Sequence, residues 1–560
     1  MKSIVHRNNI AAGGDTLVDS HSIMPMILHY RRYIRRDFVS GYHFLLNICY
    51  NIKNRQQERN NMSASETYNN NGNEEIASIK RYARYLLIMA GLGGLIYGVD
   101  VGVIAAALPY IRNTSSYSPV QLGFIVGAVL WGSVISSLFA GTLAEWFGRK
   151  KIIIASAFCF FISIPVICFS GLFEGGSFAM LTIGRTLQGA SAGLVGVVVP
   201  MYLAECLDSE SRGKGTGMFQ LLLTIGLAFA AVIGLVVTRL VGDSDVYIKS
   251  LNGAAVPGEV LKSWIHAWQT IFWCSAVPGF ILFIGAFKLK ESPRWFYKQG
   301  RIDEALESLA ANNGMAKAKE ILAEMKEADI ASDREKQEIA KVSNETLFQK
   351  KYIYPFLLAV VILACNQTTG INSVLNYTVD IFKATGMEGV FANYSDLAIK
   401  LVNVFMTIVA CALVDKKGRK FLLKTGTAGI IAGLVGVGTI FLLISRQIVA
   451  PSMMTGIIST AFFFMFIASF AVGPGVCVWL ALSELMPTRI RATGMSIAMI
   501  INQGISATIA SVFPVWRDSC GYPAVFYTLA FCTVIYFITA AFFLPETKGK
   551  TLEEIEKYFK

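Results

Sequence analysis

Apolar runs long enough to cross a bilayer recur along this chain, and a helix needs about 20 such residues to do so. They lie at 84–111, 119–142, 151–171, 178–205, 213–240 and 266–288. A charged stretch from Lys290 to Lys351 follows, then further runs at 352–384, 396–414, 421–444, 453–484, 492–514 and 522–544. This pattern predicts an all-α membrane protein with twelve transmembrane helices in two six-helix halves. Ile302, Ala305, Leu306 and Leu309, and then Ile321, Leu322 and Met325, have helical spacing. The charged middle is therefore read as cytoplasmic linker helices. The expected division is a tail at 1–80, halves at 81–289 and 352–545, a linker at 290–351 and a tail at 546–560.

Composition excludes a soluble enzyme: 54% of residues are hydrophobic and 16% charged. The net charge of +12 does not point to nucleic acid, because in a membrane protein the placement of Lys and Arg matters more than their sum. Basic residues collect in cytoplasmic loops. The N-terminal tail, the Gly148-Arg149-Lys150-Lys151 and Ser211-Arg212-Gly213-Lys214 turns, the middle stretch, Asp415–Lys420 and the C-terminal tail fall on one face in a twelve-span count. Both termini are then cytoplasmic, in a plasma or inner membrane. In the tail, Arg31, Arg32, Arg35 and Arg36 among Tyr and Phe fit a basic amphipathic segment over 25–50. Met62-Ser63-Ala64-Ser65-Glu66 equally resembles an ordinary start.

The two halves echo each other. Gly141–Lys150 after the second run matches Ala412–Lys420 after the eighth. Glu205 with Arg212 after the fourth matches Glu484 with Arg489 and Arg491 after the tenth. Glu291-Ser292-Pro293-Arg294 matches Pro545-Glu546-Thr547-Lys548-Gly549. Repeats of this kind place a substrate between the halves near the midplane.

The run at 352–384 carries Asn366, Gln367, Thr368, Thr369, Asn372, Ser373 and Asn376. Polar side chains at membrane depth face a bundle interior or a wet path. On one continuous helix, Thr368, Asn372 and Asn376 share a face. Amides supply donors and an acceptor without charge, which matches a hydroxyl-rich uncharged substrate. A lone amide is as well read as an interhelical hydrogen bond, worth roughly 0.6–2 kcal/mol.

With Gly98–Ile104, the two Gly-Arg-Lys turns, Gly184-Arg185, Pro200–Glu205, Glu291–Arg294, Gln367 with Gly370-Ile371-Asn372, Trp479 with Glu484, and Pro545–Gly549 in order, the chain resembles the sugar porters of the major facilitator superfamily over about 83–557. The resemblance implies the major facilitator fold, alternating access and a monosaccharide or polyol (a hexose, pentose or myo-inositol) as substrate. It implies sugar contacts at Gln220, Gln367, Asn372, Asn376, Asn403, Trp479, Asn502 and Gln503. Asn366, Asn376 and Gln503 depart from the family pattern, where glutamine, an aromatic residue and tryptophan are common, so a more polar pocket is expected.

The resemblance also implies energy coupling. Asp100 lies in the first run, where an ionised carboxylate is costly. It should be protonated part of the time or paired with Arg185, as in the family's proton symporters. A facilitative uniporter, with Asp100 and Arg185 a permanent structural pair, is the alternative. A transporter-like sugar sensor is a third reading, opposed by the short C-terminal tail. Glu145, Arg149, Glu205, Arg212, Asp415, Arg419, Glu484, Arg489 and Arg491 are expected to form cytoplasmic gate salt bridges. Partners are then the sugar or polyol, protons and membrane lipid, with a monomer as the working unit. No cofactor beyond the coupling proton and no metal is expected. The sequence has no GxxxxGK[ST] motif for ATP and no CxxC pair. Asn113-Thr114-Ser115 and Asn393-Tyr394-Ser395 are sequons on the outer face.

Overall fold

The computed structural model describes residues 70–173, 176–207, 209–341, 350–486 and 491–546, without a strand among them. The basic segment at 25–50, Met62 and the tail after Glu546 lie outside the described residues, as do the side chains of Arg212, Asp415, Trp479, Glu484, Arg489 and Arg491.

The N-terminal half comprises α1 (Asn70–Thr114), α2 (Pro119–Phe147), α3 (Arg149–Phe169), α4 (Phe178–Cys206), α5 (Ser209–Val241), the short α6 (Ser244–Ser250) and α7 (Gly258–Ala286). Three helices link the halves: α8 (Pro293–Lys298), α9 (Ile302–Asn313) and α10 (Met315–Lys341). The C-terminal half holds α11 (Lys350–Thr368), α12 (Ile371–Ala384), α13 (Phe391–Lys417), α14 (Arg419–Ser445), α15 (Met453–Val472), α16 (Pro474–Leu485) and α17 (Arg491–Ile538).

Eleven helical segments among the described residues are long and apolar enough to cross a membrane. One of them, Gly494–Phe543, has 50 residues, about 75 Å of helix at 1.5 Å per residue against a hydrocarbon core of about 30 Å. Within it Gly521 has φ 77° and ψ 161°, a conformation open to glycine, and Pro523 follows. Asn502, before this break, and Leu529 and Tyr536, after it, all lie against the 366–370 segment. The chain therefore turns back at Gly521, and the long segment is two antiparallel passes.

The helices pack closely because small residues let backbones meet. A Cβ on Gly94 or Gly98 would lie about 2 Å from a carbonyl oxygen of α5, at 2.1 Å from Phe219 and 1.9 Å from Leu223. Outward positions such as Phe124, Ile135, Phe280 and Phe405 stay exposed. They are the apolar surface a bilayer would cover.

The repeat seen in sequence has a physical basis. Gly148 (φ 92°) and Gly418 (φ 87°) each turn the chain between two helices. The Glu291 carboxylate accepts from the backbone N–H groups of Arg149 (2.7 Å) and Lys150 (3.0 Å). Glu546 accepts likewise from Arg419 (3.1 Å). A carboxylate at a helix N-terminus is favoured by the unpaired N–H groups there. The side of the molecule carrying these turns is here called the basic end, and the side carrying α6 and Gly521 the far end.

Candidate functional site

The run at 352–384 is not one helix. Gly370 takes φ 78° and separates α11 from α12. The shared face of Thr368, Asn372 and Asn376 expected of a continuous helix is thereby broken. Instead the break lets both helix ends present amides to one point. The Asn372 amide donates to Gln367 Oε1 (3.0 Å) and to Ser506 Oγ (2.8 Å). Gln367 Nε2 donates to Asn366 Oδ1 and Asn502 Oδ1, both at 3.3 Å. Asn502 donates in turn to the Leu363 carbonyl (2.9 Å), and Asn366 to that of Pro474 (3.3 Å).

Gln367, Asn372 and Asn502 are thus brought together, with Asn366 and Ser506 added. Asn376 is buried on α12 with its Oδ1 unpartnered. Asn403 is buried on α13, the helix that follows α12, and Gln220 is half-buried on α5. Tyr377 stacks on Phe513 at 4.8 Å and donates to the Ala510 carbonyl (3.0 Å), fixing α12 to α17.

On α1 lies Asp100, fully buried, with no close hydrogen bond to either carboxyl oxygen although the Gln188 side chain and the Arg185 guanidinium are beside it. Arg185, on α4, does not form the expected ion pair. Its Nη1 donates to Gln188 Oε1 (2.7 Å) and, at 3.4 Å, to the backbone oxygen of Asp100, and the guanidinium lies over the Phe272 ring. Tyr97, one turn before Asp100, sits beside Ser133 and Gln503, so Gln503 neighbours the carboxyl group's helix.

At the basic end Arg149 pairs with Glu205 (2.7 Å), both largely buried, and Glu205 accepts from the Ser292 hydroxyl. Glu145 pairs loosely with Lys298 of α8 (3.8 Å). Arg419 donates to the Val414 carbonyl (3.4 Å). The partners seen for Glu145, Arg149 and Glu205 lie within the N-terminal half and the linker.

Sequence reasoning missed the charges at the far end. Arg112 of α1 pairs with Asp380 of α12 (3.1 Å) and with Asp245 of α6 (3.0 Å). Lys383 of α12 pairs with Asp243 (2.8 Å) and Asp245 (2.7 Å). Lys249 pairs with Glu388 (2.6 Å), and its hydrogen bond holds that carboxyl below the usual carboxylate range. Four of these contacts join one half to the other. Their signal was Asp380 and Lys383, three residues apart and the charged members of the run at 352–384. Asn113 belongs to this network, donating to Asp245 (2.7 Å). Asn393 is buried in α13, so the second sequon is closed to modification in this fold.

The sequence comparisons agree with the fold. A family model described as "Sugar (and other) transporter" matches residues 86–559. The chain belongs to the sugar transporter family. The arabinose-proton symporter of Bacillus subtilis (strain 168) is 30% identical over 470 residues, covering 84% of this chain and 93% of that protein. The glucose transporter GlcP of Staphylococcus epidermidis is 31% identical over 84% of this chain and 96% of its own length. The major myo-inositol transporter IolT of Bacillus subtilis is 27% identical over 86% and 94%. Among solved structures, the partially occluded inward open xylose transporter XylE of E. coli superposes with a TM-score of 0.68 at 22% identity, covering 84% of this chain and all of that one. This member of the family is therefore a multi-pass membrane transporter of sugars and related solutes, not an enzyme.

Proposed function

We propose that this transporter imports a hexose, pentose or myo-inositol by proton symport, through twelve passes with both termini cytoplasmic, in the cell membrane. The basic end would then face the cytoplasm and the far end the outside. The observation that carries the coupling is Asp100, buried without a hydrogen-bond partner while Arg185 turns to Gln188. A buried, unpaired carboxylate is expensive, so this arrangement suits a carboxyl group that has taken up its proton.

In the outward-facing state the Asp100 carboxylate would pair with Arg185. A proton from outside would add to a carboxyl oxygen and cancel the charge. Arg185 would then be free to reach Gln188 Oε1, and the halves to close over the sugar held by Gln367, Asn372 and Asn502. The four far-end ion pairs between halves support reading this structure as the outward-closed state.

Asp100→Asn tests the coupling. The variant should lose uphill uptake yet retain exchange of labelled sugar across equilibrated vesicles. Uphill uptake that persists in the variant, undiminished by a protonophore, would contradict the proposal and leave Asp100 a structural neighbour of Arg185.

A further inference from the structure

One charge pair is buried toward the far end of a membrane-spanning helix and is used by neither the amide site nor the coupling step. Asp396 and Lys400 of α13 are both fully buried, with Lys400 Nζ 2.8 Å from Asp396 Oδ2. We propose that they are substrate-contacting specificity residues. In the outward-open state they would form a charged donor–acceptor pair that takes two neighbouring hydroxyls of the entering sugar or polyol. The inference rests on the transport reading above and extends its site toward the outside.

Their placement is the first argument. Asn393, Asp396, Lys400, Asn403 and Thr407 form one buried stripe of α13, while Leu401, Phe405 and Ile408 on the opposite side are exposed. Asn393 lines a small cavity with Ala106, Pro109 and Tyr110 of α1 and Thr238 of α5. The stripe thus faces the other half. Asn403, the helix's family-pattern sugar contact, lies one turn from Lys400 toward the basic end.

The second argument is chemical. An ion pair between two helices joins them, and that can offset the loss of solvation. A pair at i and i+4 of one helix joins nothing beyond that helix, so its burial costs desolvation without such a return. Ionisable groups inside membranes typically mark substrate or ion paths. Asp396 Oδ1 is buried and accepts nothing. Thr378, beside it, commits its hydroxyl to the Val374 carbonyl at 2.6 Å. Lys400 has three N–H donors, and one acceptor, Asp396 Oδ2, is seen for them. One spare acceptor and two spare donors, held side by side, complement a vicinal diol with charge-assisted hydrogen bonds.

The third argument is conformational. The far-end ion pairs close this region, and their opening would expose the pair to a substrate arriving from that side before the amides. Its contribution should therefore be sided.

The test uses the full chain in right-side-out and inside-out vesicles, with exchange of labelled glucose, xylose and myo-inositol. The variants are Lys400→Met, the neutral double Asp396→Asn/Lys400→Met, and the swap Asp396→Lys/Lys400→Asp. Lys400→Met and the neutral double should each raise the half-saturation concentration from the outside about ten-fold, the loss of roughly one charge-assisted hydrogen bond. From the inside it should move less than about two-fold on the same scale. The swap keeps an ion pair but exchanges donor and acceptor, so it should melt like the native protein and still bind poorly from outside. Native half-saturation in the double variant or in the swap overturns the inference, as does an equal loss from both sides with a lowered melting temperature. Failure of the native protein to take up any sugar would instead overturn the transport reading itself.

Discussion

At the scale of residues, the amide cluster gives a clear expectation. Asn372 makes two side-chain hydrogen bonds, to Gln367 and Ser506. Truncation leaves both partners unmatched and removes a donor from the sugar. With a typical hydrogen bond worth roughly 1 kcal/mol, Asn372→Ala should raise the half-saturation concentration for uptake roughly five-fold, measured on the best of the three sugars. An unchanged value would place Asn372 outside the substrate's reach. The residue types of this cluster were legible in the sequence, because amides stand out in an apolar run. Their convergence followed only from the family resemblance, since it depends on a helix break that periodicity alone hides. The burial of Asp396 and Lys400 was not legible, since it follows from tertiary packing rather than from local pattern.

At the scale of elements, two glycines carry the geometry. Gly370 breaks the substrate helix at φ 78°, and a Cβ there would lie 2.5 Å from Leu529 Cδ1. Gly370→Val should therefore lower the melting temperature, with roughly 1–2 kcal/mol lost to the backbone conformation alone. Gly123, on α2, meets α17 across the two halves, with its Cβ position 1.9 Å from the Ser511 carbonyl oxygen. Backbone cannot yield as a side chain would, so Gly123→Val should hold the halves apart at the far end. Wild-type rates of net uptake in that variant would show that closure there is not needed. The apolar runs predicted the helices well, because length and hydropathy dictate them. They missed the breaks at Gly370 and at Gly473-Pro474, and they divided correctly near Gly521, whose φ of 77° ends one helix and lets the chain turn back into the next.

At the scale of the whole molecule, the far-end ion pairs set the balance between states. Lys383→Met removes contacts to both Asp243 and Asp245. Partly exposed pairs contribute roughly 0.2–1 kcal/mol each, enough to shift a poised equilibrium several-fold. A cysteine placed at Val379, in a chain whose exposed Cys520 is replaced by serine, should then react faster with an impermeant thiol reagent. No change in rate would mean that the network does not hold the outside closed. The halves, their internal repeat and the turns at Gly148 and Gly418 were all readable from motifs at matching offsets. The far-end network was not, because its members come from α1, α6 and α12 with no shared motif. The most direct test of the account is uptake into proteoliposomes under an imposed inward proton gradient, with labelled glucose, xylose and myo-inositol offered in parallel. Coupling through Asp100 predicts accumulation of one of them above its outside concentration, abolished by a protonophore. Equilibration of a sugar without accumulation would contradict the coupling and make the protein a facilitative carrier.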